Sequence, residues 1–556
     1  MSASPSPHPA PGTLVDLLRI RAGDDTPGLV ADDRVWTWRE LVRASQRRAR
    51  ELQALRRDGP FHVGALLENT PDYLVTLFGA ALAGAVLVGI NSTRRGEELA
   101  RDIRHTDCAI VVTDVSQRAL LDGLDLAGAH VVVAHDLRLD PSPDTTLVER
   151  EALPEPAASD LLLLIFTSGS TGAPKAVRMT HGRATRAALG SVWFTSDDVL
   201  YCAMPLFHGN ALNAIVLPAL STGATIALRH RFSASQFVPD LRRYHATFFS
   251  TVGRALAYIL ATPARDDDRD HQVKYALAPE SSPADMKAFT KRFGIPVVAG
   301  YGSSENAIIM VPKPGIPKDA LGVPQEGLDA AVVDPDTGEE RPRARFGPDG
   351  RLLNASEAIG EIVGRNVVDR FEGYYANPDA DAARTRNGWY WSGDLGYRDE
   401  HDVFYFAGRS GEWLRVDGEN FATAPVERIL GRFPGVSGVA VYPVPDERTA
   451  DDQVMATIEM HAGASFDPEA FDTFLAAQPD LGTKWAPRYV RVGTLPVGAT
   501  NKVDKRPLRA QRWYTDDPIY WRPAREEPYR AFTVADRDAL EARFSEFGRA
   551  DALTRP

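Results

Sequence analysis

Residues 161–178, with the sequence LLLLIFTSGSTGAPKAVR, combine the residue types that hold a polyphosphate. An apolar stretch leads into a run of hydroxyl-bearing residues and glycines, and a proline and a lysine follow. Glycines let backbone N–H groups approach phosphate oxygens, hydroxyl groups add donors, and a lysine neutralises negative charge. The loop is therefore predicted to bind a triphosphate through Thr167, Ser168, Gly169, Ser170, Thr171, Gly172 and Lys175.

This loop is not the common P-loop of nucleotide-binding proteins. Lys175 lies three residues after the last glycine, and no Ser or Thr follows it to open a helix. Loops rich in Ser, Thr and Gly also form surface turns, but the preceding apolar strand and the following Pro-Lys favour phosphate binding. The chain has neither the G-x-S-x-G pattern of hydrolases nor the H-E-x-x-H pattern of zinc proteases.

Composition excludes several other classes of protein. The chain carries 63 Lys and Arg against 75 Asp and Glu, a net charge of −12, which argues against binding to nucleic acid or to an anionic membrane. Its two cysteines, Cys108 and Cys202, lie far apart, so we expect neither a disulfide framework nor a zinc site. We interpret the chain as cytoplasmic, with small-molecule partners and no integral membrane segment.

The elements that must position the phosphate loop alternate between short apolar strands and amphipathic stretches. A length of 556 residues corresponds to about three to five folding units. Alternation of strand and helix predicts an α/β fold with largely parallel sheets. The predicted strands lie in FHVGALLE, CAIVVTD, HVVVAHD, DLLLLIFTSGS, ATIALRH, ATFFSTVG and IPVVAGYG.

Two further segments define the organisation of the chain. The apolar run at residues 73–90 contains Ala and Gly and is flanked by polar turns, which favours a core helix running into a strand over a membrane span. The composition changes at residues 408–411, and a smaller unit follows with strands at VSGVAVYPV and QVMATIEMH. We predict a disordered tail at 1–12, a large domain at 13–408, a hinge at 409–411 and a small C-terminal domain at 412–556.

The segment TSGSTGAPK resembles the phosphate-loop signature of the adenylate-forming enzymes, which include acyl-CoA synthetases, luciferases and the adenylation domains of peptide synthetases. The resemblance extends in order along nearly the whole chain, from VWTWRELVRASQRRARELQ to NKVDKRPLR. MPLFHGNALNAIVLPAL, GEWLRVDGENFATAPVE and DDPIYWRPAREEPYR are most similar to fatty-acid and very-long-chain acyl-CoA synthetases. The resemblance to this family implies a large N-terminal domain of layered α/β sheets and a small, mobile C-terminal α+β domain.

The resemblance also implies roles for residues that bind the nucleotide and its metal. In YGSSE, Tyr301 would pack against adenine, Ser304 would contact phosphate, and Glu305 would bind Mg²⁺ together with Thr167. Asp394 of SGDLGY and Arg409 of GRSGE would contact the ribose. Taken alone, YGSSE could be a turn, and an isolated Asp or Arg near a glycine could be a solvated turn residue.

Activation of a carboxylate by ATP needs cations, because both reactants are negatively charged. Lys502 of ATNKVDKRPLR matches the catalytic lysine of the family, and neighbouring Lys505 is the rival candidate. His208 of PLFHGN corresponds to the residue beside the acid and would guide it, although it could equally be a half-buried structural histidine. Gly411 occupies the hinge position, and the loop around Gly418 would face CoA after the hinge rotates.

Some positions depart from the family pattern. Ala278, Pro279 and Glu280 replace a loop that usually reads close to G-N-E before the adenine, and Arg178 replaces an uncharged residue. Arg254 lies in TVGRALAYIL, a segment that shapes the acyl pocket in acyl-CoA synthetases. It could pair with a second anionic group of the substrate, or it could form a salt bridge between domains.

The leading interpretation is an enzyme that uses ATP and Mg²⁺ to convert an acid, with a fatty acid favoured, into an acyl-adenylate and then transfers the acyl group to CoA. One alternative is a relative of the same fold with another acid or acceptor, such as an amide-forming enzyme or a diazotase that uses nitrite and an aromatic amine in antibiotic biosynthesis. A second is a nucleotide- or acyl-binding protein without turnover. The intact set of motif residues argues against this second alternative.

Overall fold

The computed structural model of the chain describes residues 11–134, 153–167, 175–190, 193–279, 281, 283–298, 300–311, 313, 315–317, 320–348, 352–409, 413–416, 419–449, 452–478, 480–482, 484–497 and 503–553. For residues 253, 254, 283, 284, 409, 413, 415, 419 and 420 it describes the backbone alone.

The strands of the described residues carry the following labels in chain order: β1 (Pro27–Ala31), β2 (Arg34–Thr37), β3 (His62–Leu66), β4 (Val86–Gly89), β5 (Cys108–Thr113), β6 (His130–Val133), β7 (Leu161–Thr167), β8 (Lys175–Thr180), β9 (Val199–Cys202), β10 (Thr225–Leu228), β11 (Phe248–Ser250), β12 (Tyr275–Leu277), β13 (Val297–Val298), β14 (Met310–Val311), β15 (Val323–Pro324), β16 (Ala330–Val333), β17 (Gly360–Gly364), β18 (Thr385–Arg386), β19 (Trp389–Arg398), β20 (Phe404–Arg409), β21 (Trp413–Val416), β22 (Glu419–Ala422), β23 (Val436–Pro445), β24 (Asp452–Met460), β25 (Tyr489–Val492), β26 (Ile519–Trp521) and β27 (Arg530–Ala531).

The α-helices are α1 (Leu14–Arg21), α2 (Trp38–Ala54), α3 (Pro71–Ala83), α4 (Gly96–His105), α5 (Val115–Arg118), α6 (His181–Leu189), α7 (Gly209–Ala211), α8 (Leu217–Thr222), α9 (Ala234–Arg243), α10 (Gly253–Leu260), α11 (Pro283–Phe293), α12 (Ala355–Ala358), α13 (Pro378–Arg384), α14 (Thr423–Leu430), α15 (Pro468–Ala476), α16 (Lys505–Gln511) and α17 (Val534–Glu546). A π-helical turn, Leu212–Val216, joins α7 to α8.

The chain divides into two compact units. The first comprises Met1–Ile309 and Asp369–Ala383, and the second comprises Met310–Val368 and Arg384–Pro556. The predicted hinge at 409–411 begins where β20 ends, inside the second unit, and residues 410–412 lie outside the described residues. The predicted tail, 1–12, is described only at residues 11 and 12. The division into a tail, a large domain, a hinge and a small domain therefore stays a prediction.

A six-stranded sheet of the first unit contains the strand that leads into the phosphate loop. Its strand order is β6-β5-β3-β4-β7-β8, and the strands are parallel except for the antiparallel pair β7–β8. β3 and β4 are buried along their whole length, as expected for strands covered on both faces. The apolar run at 73–90 forms α3 followed by β4, so the prediction of a core helix running into a strand is confirmed.

A seven-stranded sheet forms the second layer of the same unit. Its strand order is β13-β12-β11-β9-β10-β1-β2, with parallel pairing except between β1 and β2. Buried aromatic rings from this sheet and from α9 and α11 share one hydrophobic core, among them Tyr201, Phe237, Phe249 and Phe289. The predicted α/β class with largely parallel sheets is confirmed for this unit.

The second unit is built mainly from antiparallel strands. One sheet has the order β16-β17-β19-β18, with β20 also paired to β19, and another has the order β23-β24-β25-β26-β27. The pairs β14–β15 and β21–β22 form separate two-stranded ribbons. The strands predicted in VSGVAVYPV and QVMATIEMH are β23 and β24.

Candidate active site

The β7–β8 hairpin carries the predicted phosphate loop. β7 ends at Thr167, β8 begins at Lys175, and the antiparallel register places these two residues directly opposite each other. Both side chains are half-buried. The hairpin therefore brings the two ends of the loop together, whereas Ser168, Gly169, Ser170, Thr171 and Gly172 lie outside the described residues.

A buried carboxylate, that of Glu305, lies close to this hairpin in the first unit. Its exposed fraction is 6%, and its Oε1 accepts a hydrogen bond of 2.6 Å from the hydroxyl group of Tyr374. The Tyr374 ring in turn lies 5.8 Å from the Lys175 ammonium group, measured to the ring centroid. The predicted metal ligand and the predicted phosphate-binding lysine thus share a tyrosine neighbour, which the sequence analysis did not identify.

Tyr374 reaches this position because its segment adds to the edge of the six-stranded sheet. The Arg178 N–H donates to the Gly373 carbonyl at 3.0 Å, and the Tyr375 N–H donates to the Ala176 carbonyl at 2.8 Å. Glu372 accepts hydrogen bonds of 2.7 Å from both the N–H and the hydroxyl group of Thr180 at the end of β8. These contacts fix residues 372–375 alongside β8.

Arg183 ties α6 to the segment that carries Ser304 and Glu305. Its buried guanidinium donates to the Arg178 carbonyl at 2.8 Å and also to the Ser304 carbonyl. A Cβ atom at Gly209 would lie 3.2 Å from the Ser304 Oγ, so the Ser304 hydroxyl packs against the backbone of Gly209. The structure therefore brings Lys175, Ser304, Glu305 and Gly209, which follows His208, into one part of the first unit.

His208 lies at the end of a loop that is anchored to the core. Asn69 donates to the Met204 carbonyl at 2.8 Å and accepts from the Leu206 N–H at 2.9 Å. The half-buried His208 ring accepts a long bond of 3.4 Å from the Asn210 N–H, and α7 with the π-helical turn follows. π-helical turns are often found at functional sites, which agrees with the predicted position beside the acid.

The residues near the predicted adenine site are described in part. Tyr301 is half-buried, and Ala278 is buried after β12, where its N–H donates to the Val298 carbonyl at 3.0 Å. Pro279 is half-buried, and Glu280 lies outside the described residues. Arg178 is exposed, and the side chain of Arg254 in α10 is not described.

The two predicted ribose contacts lie on neighbouring strands of the second unit. Asp394 of β19 is directly opposite Arg409 of β20 in the antiparallel register. Asp394 follows Gly393, whose N–H donates to the buried Glu361 carboxylate at 2.8 Å. Burial raises the pKa of Glu361, against the effects of the Gly393 N–H and of nearby arginines.

The structure gives Lys505 a definite position, which bears on the choice of catalytic lysine. Lys505 is 12% exposed, and its ammonium group lies 2.8 Å from Glu427 Oε1 and 3.0 Å from the Thr423 hydroxyl group. Glu427 also accepts from the Val441 N–H at 2.8 Å. Lys505 thus fastens α16 to α14, which favours Lys502 as the lysine that meets substrate. Lys502 itself and Gly418 lie outside the described residues.

The residues that could hold a metal ion are few. Within the described part of the chain, no group of three or more His, Cys, Asp or Glu side chains is arranged to bind a metal. Mg²⁺ bound to a nucleotide takes one or two protein carboxylates and relies on phosphate oxygens for other ligands. The single, hydrogen-bonded carboxylate of Glu305 fits that mode of binding.

None of the helices in the described ranges has the length and apolar character needed to cross a bilayer.

Comparison with known proteins agrees with the predicted resemblance. The chain is 50% identical over 550 residues to the steroid-22-oyl-CoA synthetase of Rhodococcus jostii, covering 97% of this chain and 98% of that protein. It is 40% identical over 541 residues to the medium/long-chain-fatty-acid–CoA ligase FadD17 of Mycobacterium marinum, covering 95% of this chain and 100% of that protein. These names agree with the predicted activity of an acid–CoA ligase.

Solved structures share the fold at low sequence identity. The anthranilate CoA ligase AuaEII has a TM-score of 0.76 and 21% identity, with 90% of this chain and 98% of that chain covered. The amide bond synthetase McbA from Marinactinospora thermotolerans has a TM-score of 0.75 and 22% identity, with 90% of this chain and 100% of that chain covered. The fold therefore does not by itself select the acceptor. The AMP-binding enzyme family matches residues 19–375, and this match, together with the full-length relatives, shows that the chain belongs to that family.

Proposed function

We propose that the chain is an ATP-dependent ligase that joins CoA to the side-chain carboxyl group of a steroid acid. The observation that carries this choice of acid is the 50% identity, across 97% of the chain, to a protein named steroid-22-oyl-CoA synthetase. Membership of this family implies ATP as a substrate, the names of the full-length relatives support CoA as the acceptor, and Mg²⁺ would accompany the nucleotide. The cytoplasmic location inferred from composition stays a prediction.

The reaction proceeds in two steps. A carboxylate oxygen of the acid bonds to the α-phosphorus of ATP, and the bond from that phosphorus to pyrophosphate breaks. The CoA sulfur then loses its proton and bonds to the acyl carbon, and the bond between that carbon and AMP breaks. The first step brings two anions together, so positive charge placed in advance at the site lowers its barrier.

The chain supplies that charge from several elements. Lys175 and the hydroxyl groups and N–H groups of residues 167–172 bind the phosphates. Lys502 bridges the attacking oxygen and the α-phosphate, and the ion pair between Lys505 and Glu427 supports the choice of Lys502 over Lys505. His208 guides the acid towards the phosphate. Glu305 and Thr167 would hold the metal, whose charge would offset that of the phosphates.

Other residues orient the nucleotide and the second substrate. Tyr301 packs against adenine, Ser304 contacts phosphate, and the opposed pair Asp394 and Arg409 binds the ribose. The segment around Gly418 receives CoA, and Gly411 supplies the hinge that exchanges the two half-reactions.

A second candidate acid is a medium- or long-chain fatty acid, which the 40% identity to FadD17 favours. To separate the candidates, pyrophosphate release should be measured with steroids that carry a C22 carboxyl group, with fatty acids of several lengths, with aromatic acids and with nitrite plus an aryl amine. Each acid is assayed with and without CoA, and thioesters are identified by mass spectrometry.

We expect the steroid acid to have the highest kcat/KM and to give a CoA thioester. Higher efficiency with fatty acids would replace the steroid by the second candidate. Consumption of ATP with nitrite and an aryl amine, without any thioester, would overturn the CoA-ligase proposal in favour of a diazotase. Product formation with an amine in place of CoA would indicate an amide-forming enzyme, and binding without turnover would indicate an idle binding protein.

A further inference from the structure

Strand β19 contains a bulge that ends at the predicted ribose-binding residue, Asp394. Glu361 of β17 pairs with Leu395, and Val363 pairs with Trp391, so Ile362 alone is opposed by the three residues 392–394. Gly393 in the middle of this bulge has φ = +70°, a conformation that side-chain-bearing residues rarely adopt. Bulges of this kind redirect a side chain and are frequent beside active sites.

Two side chains hold the bulge in one conformation. The Ser392 hydroxyl donates to the Ile362 carbonyl at 2.7 Å and accepts from the Asp394 N–H at 3.0 Å. Glu361 Oε1 accepts from the Gly393 N–H at 2.8 Å. Each N–H of the Gly393–Asp394 pair therefore has a side-chain acceptor.

The group that accepts the Gly393 N–H bond, the Glu361 carboxylate, is costly to bury. Glu361 is 4% exposed, and its other described polar contact is a distance of 3.5 Å from Oε2 to the Arg386 guanidinium. Burial of a carboxylate is costly, and a neutral side chain could accept the same N–H bond. A functional gain would explain why a charged residue, Glu361, is buried here. Because Glu361 holds the peptide that precedes Asp394, we look for that gain in the placement of Asp394.

We propose that Glu361 is a positioning residue for the ribose of ATP: it fixes the Gly393 peptide and thereby sets the direction in which Asp394 leaves the strand. The inference rests on the proposed function, because the ribose contact of Asp394 belongs to that proposal. The charges of Arg386 and Arg384 favour the ionised form of Glu361 and oppose the rise in its pKa that burial causes. The Arg384 guanidinium packs against Gly393, so a Cβ atom there would require Arg384 to shift.

The test is ribose discrimination, which a purely structural role would not change. The full-length enzyme is assayed by pyrophosphate exchange with ATP and with 2′,3′-dideoxy-ATP, and the binding of both nucleotides is measured by calorimetry. We compare Glu361→Ala, Glu361→Asp and Glu361→Gln with Asp394→Ala. Glu357→Ala is the matched control, because Glu357 lies in the same unit with its side chain 60% exposed.

We expect Glu361→Ala and Glu361→Asp to lower the preference for ATP over the dideoxy nucleotide by about 10-fold, the loss associated with one hydrogen bond to a charged group. Glu361→Gln retains an acceptor for the Gly393 N–H and should keep most of the preference. Asp394→Ala should abolish it, and Glu357→Ala should leave it unchanged.

The outcomes separate the two levels of the argument. If Asp394→Ala leaves the preference intact, the proposed ribose contact is wrong. If Asp394→Ala abolishes it while both Glu361→Ala and Glu361→Asp retain it, the positioning role of Glu361 is overturned. Equal losses with both nucleotides in the Glu361 variants would also overturn that role and leave only a structural one. If Glu361→Ala fails to fold, Glu361→Asp, which keeps the charge but shortens the reach, decides the question.

Discussion

Removal of one hydroxyl group, in Tyr374→Phe, tests how the carboxylate of Glu305 is held. The Tyr374 side chain is 2% exposed and donates a 2.6 Å hydrogen bond to a carboxylate that is itself 6% exposed, so water does not readily replace it. The phenylalanine ring keeps the packing against Phe371 and the contact with Lys175. The substitution therefore isolates the hydrogen bond.

The size of the effect follows from the type of bond. Hydrogen bonds to charged groups contribute about 1.5–3 kcal/mol, and about 1.4 kcal/mol corresponds to a factor of ten. Loss of a partner that orients a metal ligand typically costs about 10- to 100-fold in metal affinity or activity. We expect the Mg²⁺ concentration for half-maximal pyrophosphate exchange to rise by about 10- to 100-fold. Thioester formation from a synthetic acyl-adenylate should change little, because it does not use the triphosphate.

The neighbouring Tyr375 provides a matched control. Its hydroxyl group donates at 2.7 Å to Asp107, which is exposed, so Tyr375→Phe also removes one hydroxyl group and one bond to a carboxylate. We expect Tyr375→Phe to keep the wild-type magnesium titration. A wild-type titration in Tyr374→Phe, or the same shift in both variants, would refute the argument that the Tyr374 hydroxyl group positions Glu305.

Four further predictions concern the proposed metal ligand, the two candidate lysines and a buried histidine. Glu305→Gln keeps the size of the side chain but removes its charge, so the magnesium dependence of adenylation should move to much higher concentrations in a pyrophosphate-exchange titration. Lys502→Ala should lower adenylation by about 10²-fold or more while thioester formation from a synthetic adenylate persists. Lys505→Ala should instead lower the urea midpoint of unfolding, because it leaves the Glu427 carboxylate without its ion pair. His181 is 1% exposed, and burial lowers its pKa to about 4. The unfolded chain therefore binds more protons than the folded chain between about pH 4 and 6.5, and His181 should make stability rise by up to about 3 kcal/mol across that interval.

Each of these predictions has a result that contradicts it. An unchanged magnesium titration would remove Glu305 from the metal site, and equal loss of both half-reactions in Lys502→Ala would point to a structural role. Adenylation lost in Lys505→Ala without loss of stability would reverse the choice of lysine. For the histidine, urea midpoints of wild type and His181→Asn are compared from pH 4 to 7, with exposed His401→Asn as control; parallel curves for wild type and His181→Asn would contradict the argument.

The sequence alone predicted the elements that carry the site better than the contacts within it. A short continuous apolar run such as LLLLIFT is typical of a strand that is covered on both faces of a sheet. The structure confirms this prediction, since β7 spans Leu161–Thr167. The roles of Ser304 and Glu305 come from the family resemblance of YGSSE and stay predictions. Tyr374 was missed, because it lies 69 residues from Glu305 and meets it only through the pairing of residues 373–375 with β8.

The choice between two lysines shows a similar limit. The family resemblance favoured Lys502 over Lys505 because Lys502 follows a threonine by two residues, but it gave no physical reason for the choice. The structure supplies a reason through Glu427 and Thr423, which lie 78 and 82 residues before Lys505 in the chain and contact its ammonium group. Long-range partners of this kind have no local signature, because many exposed glutamates and threonines share the same sequence surroundings.

In both units, a predicted nucleotide contact is held by a buried polar partner from a distant part of the chain. Tyr374 holds the Glu305 side chain, Arg183 holds the Ser304 carbonyl, and Glu361 holds the peptide before Asp394. Buried polar groups reduce stability unless they are fully paired, and groups fixed before the reaction need not reorganise during it. None of these three partners belongs to the His208 loop, the π-helical turn or α10, the segments assigned here to the acid. Arg183 differs from the other two, because Ser304 also packs against Gly209 beside His208. Substitutions at Tyr374 and Glu361 should therefore raise the KM for ATP and leave the ranking of acids by kcat/KM unchanged, whereas substitutions in α10 should do the reverse.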